Sequence, residues 1–411
     1  MRSLRALRSK NFRYFLSGQS LSLIGTWMQK VAVSWIVYRL TGSAFMLGLT
    51  MFANLIPSLI LSPYVGSFCD RHNRYKILLI TQILLAVQAG AFTYVAYIRL
   101  DNMAVIIALS LVQGIITAFD TTARQSLIAK MIKREWDLPN AIALNSSMAN
   151  LTRILGPAIG GIILSTLGET MCFGINFISY FFVIFSLLLM KLELPENEHK
   201  KENVWATFKE GYVYLKASPG SFSIILLLAA YSLFVIPFST LLPVFAKDIF
   251  SGNAATFSWF ESAAGVGALI GTGYIATLKP DKNMLTIVFL SSSLFAASVL
   301  LLPSGLVLQL ALFYTLVSGM GMMSMTAAIN TYLQTHVEDS MRGRMVSYFI
   351  MSYQGLIPVG SLIIGSVAQK CGTRTTVILE GATGLAASFI FFYFKRKHER
   401  RTQPAIQQFA S

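Results

Sequence analysis

Long apolar runs alternate with short polar gaps along nearly the whole chain. A helix needs roughly 20 apolar residues to cross the hydrocarbon core of a bilayer. Runs of that size fall at 14–38, 43–69, 76–98, 103–129, 138–168 and 171–190, and again at 221–246, 254–278, 284–303, 306–335, 345–368 and 375–394. The pattern predicts an all-α membrane protein with twelve spans. The first run is too long for a signal-peptide core and lacks a small-residue cleavage site, so it is expected to remain as a span.

The one long polar interval, 191–220, holds five lysines and five glutamates and divides the runs six and six. It predicts a six-helix bundle over 1–190, a cytoplasmic linker over 191–220, and a second bundle with a basic tail over 221–411. Within the linker Val204, Trp205, Phe208, Tyr212 and Leu215 recur at helical spacing. That spacing predicts an amphipathic helix on the inner membrane surface, either an interfacial linker or a partner-binding element. The halves share weak symmetry: "GSFCDRHNRYK" (66–76) follows the second run, and "GTGYIATLKPDKN" (271–283) holds the equivalent place in the second half. Duplicated six-helix units place a ligand site between repeats, near the midplane.

Charge adds orientation. The 411 residues are 55% hydrophobic and 12% charged, about half the charge of an ordinary soluble chain. Of 33 Lys and Arg, 26 fall on the side of the N-terminus, against Arg39, Arg99, Lys247, Lys370 and Arg374 on the other. The asymmetry predicts that both termini are cytoplasmic. It also accounts for the net charge of +15 without nucleic acid, since the bases lie in short gaps rather than on one face.

Cys69, Cys172 and Cys371 lie far apart, which predicts neither a disulfide framework nor a metal site. No H-E-x-x-H, G-x-S-x-G or P-loop pattern occurs, so neither an enzyme nor a cofactor is expected. A transporter without an ATP site draws on an ion gradient or on its substrate's own. A non-transporting receptor is the weaker alternative, as no soluble domain is available to bind a signal.

Gly66–Lys76 resembles the G-x-x-x-D-R-x-x-R-x-K loop of the major facilitator superfamily, with Asn73 where that pattern prefers glycine, a substitution that left-handed backbone tolerates. "RLTGSAFMLG", "AFDTTARQSL", "NAIALNSS", "LLPVFAKDIF", "GVGALIG" and "LQTHVEDSMRGR" resemble the branch containing bacterial macrolide-efflux and enterobactin-exporter proteins. The resemblance implies two pseudo-symmetric six-helix bundles and secondary active transport by alternating access. It further implies proton-coupled export of a siderophore-like, macrolide or other drug-like molecule by a monomer in the bacterial inner membrane. Importers and exchangers share the geometry, so direction rests on the resemblance alone.

The same resemblance implies a conformational latch of Gly66, Asp70, Arg71, Arg74, Lys76, Asp120 and Arg124, centred on an Asp70–Arg74–Asp120 cluster. Gly66 is expected to let the second span pack closely on a neighbour. The plainer alternative is a solvated turn whose bases fix topology. "LGPAIGG" (155–161) matches the end of a pattern of family exporters, with Thr152 replacing its leading glycine. Gly156, Pro157, Gly160 and Gly161 suit a bend, a close-packed face, or both. Ser110, before Gln113 and Gly114, stands where many proton-driven exporters carry arginine.

Ionisable groups within spans cost roughly 2.5–3.5 kcal/mol each on insertion scales and usually mark function. Lys30 and Arg153 both lie about 15 residues, roughly 22 Å, from the cytoplasmic start of their spans. Glu261 and Glu380 lie nearer the outer face. Gln29, Gln113, Asn150 and Gln354 add hydrogen-bonding capacity. A cationic lining suits an acidic or catecholate-like substrate better than a cationic dye, although Lys30 also suits a structural pair with an acid. Equal depth on facing spans predicts an Arg153–Glu261 pair.

Overall fold

The computed structural model describes residues 5–132, 134–190, 204–278, 283–305 and 307–409. Among them every regular element is helical. By contacts the chain divides into two units, Met1–Lys201 with Leu242–Ser262, and Glu202–Leu241 with Ala263–Ser411. Leu242–Ser262, assigned to the second bundle by sequence position, is thus grouped with the first.

The first unit contains α1 (Lys10–Thr41), α2 (Ala44–Arg71), α3 (Arg74–Tyr97), α4 (Met103–Met131), α5 (Leu138–Leu167) and α6 (Glu169–Leu188). Side-chain caps set the helix starts: Ser9, Ser43, Asn73 and Asn102 each accept a backbone N–H of the first turn. Gly42 ends α1 in the left-handed conformation, its N–H donating to Tyr38. Asn73 departs from expectation. It is extended (φ −65°) and caps α3 through Tyr75 and Lys76, so an asparagine serves there as a cap rather than as a left-handed turn. The core joins Phe12 and Phe15 of α1 to Leu78 and Ala89 of α3, Leu127 of α4, and Tyr180 and Val183 of α6.

The second unit begins with α7 (Val204–Ala217), the described part of the linker. Its Leu215 is buried and its Tyr212 exposed, and Glu210 pairs with Arg344 at 2.9 Å. Next come α8 (Pro219–Phe234) and a 3-10 stretch at Ile236–Leu241, after which the chain enters the segment grouped with the first unit at the short α9 (Leu242–Val244). A π-helical turn, Phe245–Ile249, follows α9. Pro237 and Pro243 lie in this broken region, and each removes a helical donor. The expected unbroken span 221–246 is therefore segmented. Then follows α10 (Ala254–Ala276), which belongs to the first unit up to Ser262 and to the second from Ala263, and after it, all in the second, α11 (Met284–Leu301), α12 (Leu308–Thr335), α13 (Asp339–Gln354), α14 (Ile357–Cys371) and α15 (Thr373–Phe409). The run expected at 345–368 is likewise divided, with Pro358 in the first turn of α14.

Ten segments of the described residues are long and apolar enough to cross a membrane, two fewer than the twelve expected. The two that fall short are α1 and α10. They are long enough, at 32 and 23 residues. Exposed Ile80, Val87, Phe185, Leu290 and Phe389 give the remaining helices an apolar outer surface, the inverse of a soluble protein's.

Candidate functional site

The charged centre is built from α1, α5 and α10. On α1, Trp27 and Lys30 lie three residues apart and share a face. The Lys30 ammonium sits 4.7 Å from the Trp27 ring centroid, and the Arg153 guanidinium of α5 sits 5.9 Å from the same ring. Both distances are within the reach of a cation–π interaction. The acid is Glu261 of α10, whose Oε2 is 3.8 Å from Lys30 Nζ. The Lys30 side chain is 38% exposed and that of Glu261 13%. The site therefore holds two cations, one indole and one carboxylate.

The expected Arg153–Glu261 pair is not the one formed. Glu261 pairs with Lys30, and Arg153 lies over Trp27. Lys30 and Arg153 are equally deep, so depth selects neither; direction around each helix selects Lys30. The α5 motif shapes this arrangement. A Cβ on Gly156 would collide with Trp27, and one on Gly161 with Ser258 of α10. Gly160 packs on Met28. Ser262 donates to the Ile154 carbonyl at 3.4 Å, so α5 lies directly beside the start of α10. Pro157 sits inside α5, which continues through it.

Gln29 has a different place from the one expected. It is fully buried, donating to Gln88 at 3.1 Å and accepting from Asn176 at 2.7 Å. Successive helical residues point about 100° apart, so Gln29 faces the core while Lys30 faces the charged centre. Gln113 accepts from Asn54 at 3.3 Å. Asn150 is half-buried one turn before Arg153. Ser110 is buried and donates to Ile106.

The loop motif divides as well. Asp120 is buried and saturated: Thr81 donates to it at 3.1 Å, Gln82 at 2.5 Å, and Arg124 pairs with it at 3.4 Å. Its cation is Arg124 on its own helix rather than Arg74. The Asp70 side chain lies outside the described residues. Arg71 and Lys76 are exposed and Arg74 half-buried. Gly66 does not supply close packing: a Cβ there would have nothing within 4 Å.

Further contacts lie at the other end of α1. Tyr38 donates to Asp248 of the π-helical turn, Lys247 lies 5.3 Å from the Tyr38 ring, and Arg39 pairs with Glu169 at 3.0 Å. The sequence reading missed Trp27 and Asp248. The three-residue spacing from Trp27 to Lys30 was available as a signal; nothing local marks Tyr38 and Asp248, 210 residues apart. No group of three or more metal-ligating side chains occurs among the described residues.

The comparisons with known proteins agree with this architecture. The family described as transmembrane secretion effector matches residues 1–409. The staphyloferrin A transporter of Staphylococcus aureus (strain NCTC 8325 / PS 47) is 25% identical, the match covering 94% of this chain and 96% of that protein. Macrolide efflux protein A of Streptococcus pyogenes is 24% identical, covering 89% and 91%. Among solved structures, the nucleoside transporter NupG superposes with a TM-score of 0.71 at 13% identity, covering 94% of this chain and 98% of that one. A bacterial homologue of ferroportin in an inward-facing state gives 0.70 at 14% identity, covering 93% and 98%.

Proposed function

Because the chain belongs to the transmembrane secretion effector family of major facilitator transporters, we propose that it exports a small organic molecule by proton-coupled alternating access, and that its preferred substrates carry an anionic group. The membrane is the bacterial inner membrane, both termini are cytoplasmic, and the chain acts as a monomer. The observation that carries the substrate class is the pairing of two cations, Lys30 and Arg153, with one indole and a single carboxylate, Glu261.

Ion pairs with an open member are worth on the order of 1 kcal/mol. An anionic substrate can therefore take the place of Glu261 on Lys30. Trp27 offers an apolar or aromatic substrate body a flat surface. Arg153, already over that ring, is placed to receive a second anionic group. The names of the relatives include both a staphyloferrin A transporter and macrolide efflux proteins, which agrees with a siderophore-like, macrolide or other drug substrate.

The latch enters the same cycle. Asp120, held by Thr81, Gln82 and Arg124, is the fixed member, and Asp70 with Arg74 is the part that engages and releases. Asp70→Asn is expected to leave the protein inserted and to cut transport.

Spent medium from deletion and parent strains decides the substrate class. An anionic or amphipathic metabolite should fall in the deletion strain's medium, and retention of cationic dyes alone would sink the cationic-site reading. In proteoliposomes, Lys30→Glu and Glu261→Lys should each abolish transport of that metabolite, and the double exchange should restore part of it.

A further inference from the structure

A second carboxyl lies buried in the second unit and has no part in the charged centre. Glu380 of α15 is 2% exposed. Neither of its oxygens has a hydrogen-bond partner among the described residues. An ionised carboxylate so placed lacks both solvation and a counter-charge, a combination proteins rarely sustain.

Among the described residues, no titratable side chain of the elements packed most closely on α15 relieves it. α15 packs on α11, α8, α14 and the 3-10 stretches Ile236–Leu241 and Leu302–Ser304. Of these, α11 and both 3-10 stretches carry no titratable side chain. α14 offers only exposed Lys370 and Cys371, and α8 offers Tyr231. On α15 itself Arg374, Tyr393 and Arg396 are exposed, and Lys395 donates to Thr286 at the far end of the helix.

A file of buried hydroxyls lies further along the same helix. The one proton of Tyr231 Oη can go to the carbonyl of Ser292 at 2.7 Å or to that of Gly384, one turn after Glu380, at 3.0 Å. The same hydroxyl is 2.7 Å from Ser388 Oγ, which in turn donates to Ser292 Oγ at 2.8 Å. A hydroxyl both donates and accepts, so such a file can relay a proton by successive reorientation. Gly384, where it touches α15, follows Glu380 by one turn, about 6 Å of rise along the axis. Thr376, Glu380, Ser388 and Lys395 are all buried on α15, on a helix otherwise made for lipid.

We propose that Glu380 is a proton-binding site of the second unit, loaded and unloaded through Tyr231, Ser388 and Ser292. Its carboxylate takes one proton delivered by water, becomes the neutral acid in the buried arrangement described here, and returns the proton to water when the surroundings open. No electron moves and no other reactant is needed. The inference assigns a residue to the proton of the transport proposed above and rests on that reading for its purpose alone.

Infrared spectroscopy of the full-length protein in lipid vesicles tests the site without any substrate. Wild type at neutral pH should show the carbonyl stretch of a buried carboxylic acid. Glu380→Gln should lose that band, Glu380→Asp should keep it at a shifted position, and Glu261→Gln should leave it unchanged. The Asp variant keeps the test valid should the Gln variant fold poorly. In heavy water, Tyr231→Phe should slow deuteration of the band at least tenfold. A spectrum identical in wild type and Glu380→Gln, or no Asp-dependent shift, would overturn the site. Deuteration as fast in Tyr231→Phe as in wild type would overturn the hydroxyl route. An intact band in a protein that moves no metabolite would count against the transport reading instead.

Discussion

Two of the acid–base pairs of the first unit are of opposite construction. Asp120 and Arg124 lie on one helix with side chains 6% and 19% exposed, and Thr81 and Gln82 add donors to the acid. Glu261 and Lys30 come from helices distant in sequence, with side chains 13% and 38% exposed, at a looser 3.8 Å. A buried pair with its remaining lone pairs satisfied is difficult to break, because removing one partner strands the other without solvent. An open pair is only one of several ways to satisfy two charges. The first therefore behaves as framework and the second as an exchangeable contact, even though both would be described as salt bridges.

The strongest way to break this contrast is Asp120→Ala. It strands Arg124 and two donors and should cost about 3–5 kcal/mol. Thermal ramps of purified protein in detergent should show a midpoint well below wild type. An unchanged midpoint would mean that Asp120 is no framework residue.

Next comes Gln29→Leu, which orphans Asn176 and Gln88 in the core. It should cost about 1–3 kcal/mol of stability, with the apparent affinity for substrate unchanged in the protein that folds. A raised apparent KM with a normal midpoint would instead return Gln29 to the binding site.

Glu261→Gln sharpens the other side. It removes the competitor for Lys30 and should leave the melting midpoint within experimental error of wild type. Retention of an anionic substrate should rise roughly tenfold, equivalent to about 1.4 kcal/mol, and turnover should slow. A large stability loss would make the pair structural.

The smallest effect is expected from Trp27→Leu. Loss of the surface beneath two cations should weaken apparent affinity by about 0.5–1 kcal/mol, a two- to fivefold change, with no change in pH dependence. Equilibrium binding to detergent-solubilised protein measures it.

Much of the fold was legible because membrane burial leaves a coarse trace. Apolar runs bounded by polar gaps located the helices; that Ser9, Ser43 and Asn102 begin three of them emerged only with the structure. The breaks at Pro237, Pro243 and Pro358 could be located from residue type, but how far each would disrupt its helix could not.

The sequence by itself determined an all-helical membrane protein, the side on which its basic residues gather, and the presence of Lys30, Arg153 and Glu261 within spans. It determined these through chain-local quantities: hydropathy summed over runs of about 20 residues and charge counted by loop. Tertiary structure alone decided that Glu261 meets Lys30, that Gln29 turns to the core, that Asp120 is satisfied by α3, and that Tyr38 finds Asp248. Each of these depends on the azimuth of one helix against another. That angle is set by where small residues such as Gly156 and Gly161 allow backbones to approach, and an error of one residue rotates a side chain by about 100°, enough to exchange a substrate contact for a core contact.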